Sequence, residues 1–225
     1  MDGLSSRKEE GRKEPHWPIA KEGFPFLILA ALVALIGIGM GWVIVATLGA
    51  ILTLFIAFFF RNPIRTIPEE ENAILSPADG KVIHVGECME NRFLNQKVLK
   101  VSIFMSLFDV HINRAPASGM IVQQSHHPGQ FLVASREKSS LQNEQNALIL
   151  ETKDRWKILF VQIAGFVARR IVCYAKAGDW LKHGQIFGLI RFGSRVDLYL
   201  PMDVRPMVRV GQHVKGGESV IGYLG

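Results

Sequence analysis

The sequence predicts a mainly β head of the β-sandwich or barrel-sandwich type, with a few short helices, behind an N-terminal two-helix transmembrane hairpin. Residues 24–60 contain no Asp, Glu, Lys, Arg or His, although 20% of the 225 residues are charged. After Pro68, short β-branched runs alternate with glycine, and helical periodicity is scarce. We therefore expect a head at residues 61–225, and the composition of residues 1–23 predicts a polar, disordered tail.

The apolar segment is too long for one straight membrane span. Its 37 residues would extend about 55 Å as a helix, against a hydrocarbon core of ~30 Å. The glycines at Gly37, Gly39 and Gly41 offer a break that leaves apolar halves of about 17 and 19 residues. Basic residues flank both outer ends, including Arg61 and Arg65, so the positive-inside rule predicts a cell-membrane protein whose head faces the cytoplasm. A cleaved signal peptide is the weaker alternative because no small-x-small cleavage site follows.

The net charge of +6 indicates the kind of surface that the head meets. The five basic and five acidic residues of the tail cancel, so the whole excess belongs to the head. Beside a membrane segment, this charge favours an anionic lipid surface. Nucleic acid is disfavoured because the basic residues are scattered and no aromatic-rich motif accompanies them. The two cysteines, Cys88 and Cys173, form no CxxC pair and indicate a reducing compartment.

Strand-like runs occur throughout the head. The polar stretch at residues 135–146 separates them and predicts a long surface loop or a short helix, and long loops are often functional. The predicted strands lie at residues 81–86, 97–104, 147–152, 156–165, 187–193, 195–201 and 219–225.

Three short motifs could carry chemistry. Residues 76–80, Ser-Pro-Ala-Asp-Gly, place a carboxylate at the tip of a turn. Residues 108–116, Phe-Asp-Val-His-Ile-Asn-Arg-Ala-Pro, combine one His with one Arg, and residues 192–194, Phe-Gly-Ser, join two strand-like runs. Taken singly, each motif is more typical of turn structure than of a reactive site.

Seven segments that include these motifs, in this order behind an apolar hairpin, carry a family resemblance. The chain resembles the short, membrane-anchored prokaryotic form of the phosphatidylserine decarboxylase proenzyme family. The matching segments are residues 59–68, 76–82, 104–116, 126–131, 143–147, 162–173 and 190–201.

The resemblance implies a carboxy-lyase of phospholipid biosynthesis that converts phosphatidylserine to phosphatidylethanolamine. It further implies self-cleavage between Gly193 and Ser194, which yields a heterodimer of chains 1–193 and 194–225. Ser194 would become a covalent pyruvoyl group that forms a Schiff base with the substrate, without a metal. A glycine carbonyl before serine suits such a reaction, because Gly has no Cβ to obstruct attack by Oγ and tolerates a strained turn.

Asp79 and His111 are the candidate catalytic residues beside Ser194, since a serine commonly loses its proton to a His oriented by a carboxylate. Longer members of the family have a second His where this chain has Arg114. The resemblance ties His111 to decarboxylation, so His111 serves both steps or the distant His126 or His127 substitutes in self-cleavage.

Binding of the lipid phosphate is predicted for Arg114, Arg169 or Arg170, whose guanidinium groups could make bidentate contacts. A non-catalytic alternative stays open, because residues 208–225 are reminiscent of the biotinyl or lipoyl hairpin. A membrane-anchored carrier or adaptor would share that hairpin. A carrier, however, needs a lysine at an exposed hairpin tip flanked by Met or by Asp-Ala, and this chain has no such site.

Overall fold

The structure is a computed structural model that describes residues 17–129, 143–165, 170–191 and 193–225. It is mainly β, as the alternating apolar runs predict. In chain order, the strands of the described residues are β1 Ala73–Leu75, β2 Gly80–Glu90, β3 Gln96–Met105, β4 Ile112–Arg114, β5 Gly119–His127, β6 Gln145–Glu151, β7 Lys157–Ala164, β8 Ile171–Cys173, β9 Trp180–Leu181, β10 Ile186–Ile190, β11 Ser194–Leu200, β12 His213–Val214 and β13 Val220–Tyr223.

Two apolar helices precede the strands, and a single turn of 3-10 helix leads into the first of them. Helix α1 spans Phe24–Gly39 and helix α2 spans Val43–Phe59, so the turn between them falls at the predicted glycine break. The helices pack closely because small residues line their contact. A Cβ on Gly37 would lie only 2.6 Å from the backbone nitrogen of Ala46, so a larger residue there would force the helices apart.

The surfaces of the helices are apolar and largely uncovered. The segment Lys21–Gly39 is long and apolar enough to cross a membrane, whereas α2, with 17 residues, is shorter. Ile28, Leu35 and Leu54 are 67%, 63% and 72% exposed. Crossing of a membrane by both helices stays a prediction.

The base of the helix pair is joined to the head by backbone hydrogen bonds. The amide of Ala20 donates to the carbonyl of Phe60 at 2.8 Å, and the amide of Asn62 donates to the carbonyl of Pro18 at 2.7 Å. Residues 17–23 therefore have a defined structure, in contrast to the disordered tail that composition predicts. Paired backbone groups hold them in place, and the rest of the tail lies outside the described residues.

The described residues of the head form one large antiparallel sheet and two small ones. The large sheet has the strand order β12-β2-β3-β11-β7-β6-β5-β9, the three-stranded sheet the order β4-β10-β8, and β1 pairs with β13. The main core lies between the large and the three-stranded sheet, where the buried rings of Phe160 and Phe187 meet at 4.9 Å. Burial of each such ring contributes about 1.5–3 kcal/mol. A second apolar cluster covers the other face of β6 and β7.

Two expectations for the head need correction. Among its described residues there is no helix, so the few short helices that we expect are not found there. In the polar stretch that predicts a surface loop or short helix, residues 135–142 lie outside the described part, but Asn143, Gln145 and Asn146 are buried. Burial is possible because amide side chains pair internally, as when Asn143 Nδ2 donates to the carbonyl of Ala164 at 2.6 Å.

Candidate active site

Ser194 begins β11 in the middle of the large sheet. It pairs with Met105 of β3 on one side and with Ala164 of β7 on the other. Three residues separate it from Ile190, the last residue of β10, so the chain passes here from the small sheet to the large one. The side chain is fully buried, and its Oγ has no hydrogen-bond partner among the described residues. A buried hydroxyl without a partner costs about 1–3 kcal/mol, which makes Ser194 a functional candidate.

Gly193 directly precedes Ser194. Among the described residues, a Cβ built on it would lie 3.9 Å from the carbonyl oxygen of Met105, which is an ordinary van der Waals distance. Close packing against the described residues therefore does not require glycine here, and the strained turn at Gly193 stays a prediction. Phe192 lies outside the described residues.

His111 lies in the connection from β3 to β4, which runs beside the connection from β10 to β11. The amide of Ile190 donates to the carbonyl of His111 at 3.2 Å. Six residues before His111, Met105 pairs with Ser194. These two contacts join the two connections, one at Ile190 and the other at Ser194. His111 therefore lies in the same part of the head as the Gly193–Ser194 peptide bond.

The protonation of His111 follows from its contacts. Its Nδ1 lies 3.0 Å from the backbone carbonyl of Asp109, which can only accept, so Nδ1 carries the proton and Nε2 the lone pair. Nε2 is buried and has no partner among the described residues. The ring of Phe59, the last residue of α2, lies 4.3 Å from the imidazole. Burial lowers the pKa of His111 to about 4, although the hydrogen bond to Asp109 opposes this effect. His111 is therefore a neutral base at physiological pH.

Asp79 lies across β3 from Ser194. The neighbouring Gly80 passes so close to β3 that a Cβ would collide with the carbonyl of Phe104. Since Ser194 pairs with the other edge of β3, two strand spacings, or about 10 Å, separate the two backbones. Asp79 and Ser194 are far apart in the sequence, but the fold brings their backbones into the same part of the head.

Both oxygens of the Asp79 carboxylate accept hydrogen bonds. Its Oδ2 accepts from Arg65 Nη2 at 2.7 Å and its Oδ1 from the amide of Gly216 at 2.8 Å. Burial raises the pKa of Asp79, and the hydrogen bond from Gly216 and the charge of Arg65 oppose this rise. Asp79 and His111, which the sequence suggests as partners, do not hydrogen-bond to each other. The carbonyl of Asp109 takes the place of the carboxylate in orienting His111.

The three arginines predicted to bind phosphate have different positions. Arg114 is partly buried and donates to the carbonyl of Gly184 at 3.1 Å and to Asn62 Oδ1 at 3.4 Å. It therefore ties the segment after α2 to the head. Arg170 is exposed, and Arg169 lies outside the described residues.

The alternative bases, His126 and His127, lie on β5. Three strand spacings, about 14 Å, separate β5 from β11 in the large sheet. His126 Nε2 lies 3.0 Å from Glu144 Oε1 at the surface. The structure therefore brings His111 near Ser194 and keeps the other two histidines away.

Two further arginines near the site are absent from the sequence-based candidates. The guanidinium of Arg191 lies 5.4 Å from the ring of Phe26 in the first turn of α1. Arg61 donates to the carbonyls of Phe58 and Phe108, at 2.8 and 2.7 Å. Both cations lie at the base of the helices and close to the two connections. In the sequence, Arg61 is the first basic residue after the apolar run, and Arg191 lies two residues before Gly193.

A chain of buried amides also reaches the site. Gln162 Nε2 donates to Asn113 Oδ1 at 2.9 Å, and Asn146 Nδ2 donates to Gln162 Oε1 at 3.0 Å. Asn113 Nδ2 points to the sulfur of Met105 at 3.7 Å. Since Met105 can only accept, every amide donates towards the residue that pairs with Ser194. The network therefore fixes the relative positions of β4, β6 and β7 around the site.

The structure places a buried serine hydroxyl and a buried, neutral imidazole in the same part of the head, and these are the two groups that a serine nucleophile and its base require. Within the described ranges, no group of three His, Cys, Asp or Glu side chains is placed to hold a metal ion. The pyruvoyl group that the resemblance implies fits these residues, because it needs a serine with a free hydroxyl next to a proton acceptor.

The chain is similar in sequence to proteins of one enzyme family. The sequence model of the family described as phosphatidylserine decarboxylase matches residues 52–222. A phosphatidylserine decarboxylase proenzyme of Geotalea uraniireducens is 48% identical over 207 residues, which cover 92% of this chain and 97% of the relative. The proenzyme of Syntrophotalea carbinolica is 50% identical with the same coverage, and that of Pelobacter propionicus is 48% identical over 95% of this chain and its own full length. The chain therefore belongs to the phosphatidylserine decarboxylase family of carboxy-lyases.

Proposed function

We propose that the chain decarboxylates phosphatidylserine to phosphatidylethanolamine through a pyruvoyl group that it makes from its own Ser194. The observation that carries the proposal is that Ser194 Oγ and His111 Nε2 are both buried without a partner among the described residues. The backbone of His111 is hydrogen-bonded to Ile190, four residues before Ser194. The names of the relatives support the substrate. Membership in an enzyme family argues against a non-catalytic carrier or adaptor.

Self-cleavage begins when His111 Nε2 accepts the proton of Ser194 Oγ. The oxygen attacks the carbonyl carbon of Gly193, the peptide C–N bond breaks, and an ester forms. Loss of the Ser194 Cα proton then breaks the Cβ–O bond and releases the carboxylate of Gly193. Water hydrolyses the remaining unsaturated residue to a ketone, and ammonia leaves.

A pyruvoyl group at position 194 would supply a ketone that can take up the substrate amine and accept electrons during loss of carbon dioxide. His111 then has a second role, which is to return a proton to the substrate carbon at each turnover. A neutral His111 cannot donate from Nε2, so it must first be protonated. The negative charges of a bound phospholipid headgroup would raise the pKa of His111 and favour that protonation.

Asp79 is proposed to act in self-cleavage only. In the structure it is paired with Arg65 and makes no direct hydrogen bond to His111, so the role that we propose for its charge acts at a distance. A residue with this role has no duty once the chain has split. His111 is needed in both steps because Arg114 occupies the position of a second His.

The substrate binds, in this proposal, where the helices meet the head. Helices α1 and α2 cross the membrane as a hairpin, with residues 1–23 and the head at 61–225 on the cytoplasmic side. Arg114 is already bonded to protein oxygens, which makes Arg191 the better phosphate ligand, because it lies beside α1 and three residues before Ser194.

Intact-mass analysis of the purified protein tests self-cleavage directly. We expect chains 1–193 and 194–225, the second with 225 − 193 = 32 residues and a ketone at its N-terminus. Ser194→Ala removes the nucleophile and should leave one unsplit, inactive chain of 25.1 kDa. Ser102→Ala is the matched control, because Ser102 is also buried, on the adjacent strand β3. An unsplit wild-type chain with decarboxylase activity would refute the proposal.

A further inference from the structure

The loop from β3 to β4 presents two large apolar side chains to the outside. Leu107 is 39% exposed and Phe108 is 71% exposed. The loop is held in shape by Asp109, whose Oδ2 accepts from the amide of Ser106 at 2.8 Å and from its hydroxyl at 2.7 Å. This turn directs residues 107 and 108 outward, so their exposure is a property of an ordered loop.

One guanidinium joins this loop to the end of α2. Arg61 Nη1 donates to the carbonyl of Phe58 at 2.8 Å, and its Nη2 donates to the carbonyl of Phe108 at 2.7 Å. Phe58 belongs to the last turn of α2 and is 44% exposed. Phe108 is therefore at the same level as the end of the apolar helix and extends its uncovered surface.

We propose that Leu107 and Phe108 insert into the lipid bilayer beside α2 and form a second membrane contact of the head. The inference rests on the proposed membrane crossing by the helices. Lipid is the expected occupant because the loop is continuous with an apolar helix surface, and because Arg61 beside it suits the level of the lipid phosphates.

The loop has a direct consequence for the substrate. Three residues after Phe108, the same loop reaches His111, which is only 2% exposed and lies against Phe59 of α2. Inserted into the interface, the loop would bring the entrance to His111 to the depth of the lipid headgroups. A phospholipid could then reach the site without leaving the membrane surface.

The test uses the full chain with single cysteines that carry an environment-sensitive NBD fluorophore. The background is Cys88→Ser with Cys173→Ser, reconstituted into phosphatidylcholine and phosphatidylglycerol vesicles with or without spin-labelled lipids that quench NBD. Phe108→Cys probes the loop. Ile51→Cys, in the middle of α2, reports on the helices, and Met207→Cys, which is 62% exposed on another part of the head, is the aqueous control.

We expect spin-labelled lipids to quench the fluorophore at positions 51 and 108 at least twofold more than at position 207. Quenching at 51 but not at 108 overturns this inference and leaves the membrane crossing intact. Absence of quenching at both 51 and 108 overturns the membrane crossing itself. Independently, Phe108→Asp should lower activity on vesicles at least threefold relative to activity on detergent-dispersed lipid, whereas Met207→Asp should not. An unchanged ratio for Phe108→Asp also counts against the inference.

Discussion

Ser194 and Asp79, which lie on opposite sides of β3, have opposite hydrogen-bonding states. On the β11 side, Ser194 Oγ and His111 Nε2 are buried and have no partner among the described residues. On the β2 side, Asp79 accepts hydrogen bonds from Arg65 and Gly216. Because unpartnered buried polar atoms are costly, a fold retains them where they react, whereas a paired cluster can be retained for stability alone.

Burial shifts the pKa values of His111 and Asp79 in opposite directions. It lowers the pKa of His111 to about 4 and so keeps a proton acceptor neutral. It raises the pKa of Asp79, but Arg65 and Gly216 oppose this shift and favour the charged carboxylate. In the proposed reaction, the β11 side therefore carries the chemistry, and the β2 side holds a carboxylate that is paired with Arg65.

The largest effect should come from His111→Ala. Without this imidazole, Ser194 loses its proposed general base, and general base catalysis contributes about 10²–10⁴-fold. We expect an unsplit proenzyme without measurable decarboxylation, scored by denaturing gel and by release of carbon dioxide. His126→Ala, on the distant strand β5, is the control and should split normally. Normal splitting of His111→Ala together with failure of His126→Ala would reverse the comparison.

The second prediction distinguishes the effect of the Asp79 charge on self-cleavage from the effect of its ion pair with Arg65 on stability. Asp79→Ala leaves the nearly buried Arg65 without its shortest ion pair, and we expect a loss of about 2 kcal/mol in the free energy of unfolding. It should also slow self-cleavage. The double variant Arg65→Ala with Asp79→Ala removes both charges, and should recover most of the stability but not the splitting.

Thermal denaturation and the time course of splitting, measured on all three variants, complete this cycle. The single variant Arg65→Ala shows whether the arginine itself affects cleavage. If the double variant splits at the wild-type rate, Asp79 has only a structural role, and the two sides of β3 are not chemically linked.

The pH dependence of stability gives a third test. The pKa of His111 lies at about 4 in the folded chain and at its ordinary 6.5 in the unfolded one. The unfolded chain therefore binds the extra proton between these values, and stability falls as the pH drops from 6.5 to 4, by up to about 3 kcal/mol. Unsplit Ser194→Ala protein provides a uniform sample for denaturation at each pH. Adding His111→Gln should flatten the curve in this window, and an unchanged slope would contradict the buried, neutral imidazole.

The sequence predicts the elements of this molecule better than their contacts. The apolar run and its glycines predict both helices, and alternating β-branched residues predict β2, β3, β6, β7, β10, β11 and β13, because these signals are local. The position of Ser194 between Met105 and Ala164 depends on strand order. Strand order follows from packing between distant segments, which periodicity does not report.

The contacts of the site that the sequence did not predict also depend on packing between distant segments. Arg65 reaches Asp79 and Phe59 reaches His111 only after the chain has folded. Asn146 and Gln162 are polar, and polarity alone predicts exposure, but a chain of amide hydrogen bonds allows their burial. The family resemblance pointed to Ser194, His111 and Asp79 as candidates because it compares motifs rather than contacts.

The fourth prediction concerns the helix residue that covers His111. Phe59→Ala admits water to the imidazole, so we expect the pKa of His111 to rise from about 4. The acid limb of the splitting rate, which we expect to follow this pKa, should then move to higher pH. Phe59→Leu keeps the apolar cover and should retain the wild-type profile. Phe58→Ala, on the exposed side of the same turn, is the second control. A common profile for all three variants would mean that α2 does not set the properties of the base.

The smallest expected effect concerns the lipid phosphate. Arg191 lies at the base of α1, and loss of one charge-assisted hydrogen bond at a partly exposed site weakens binding by about 1.5 kcal/mol, or roughly tenfold. Arg191→Gln should therefore raise KM for phosphatidylserine in mixed micelles about tenfold with a smaller change in kcat. Arg170→Gln, which removes an exposed charge from the adjoining strand segment, should change KM less than twofold. The reverse order of effects would assign the phosphate to Arg170, one of the three arginines that the sequence suggests. It would also separate substrate binding from the base of the helices, on which the proposed route of the lipid to His111 depends.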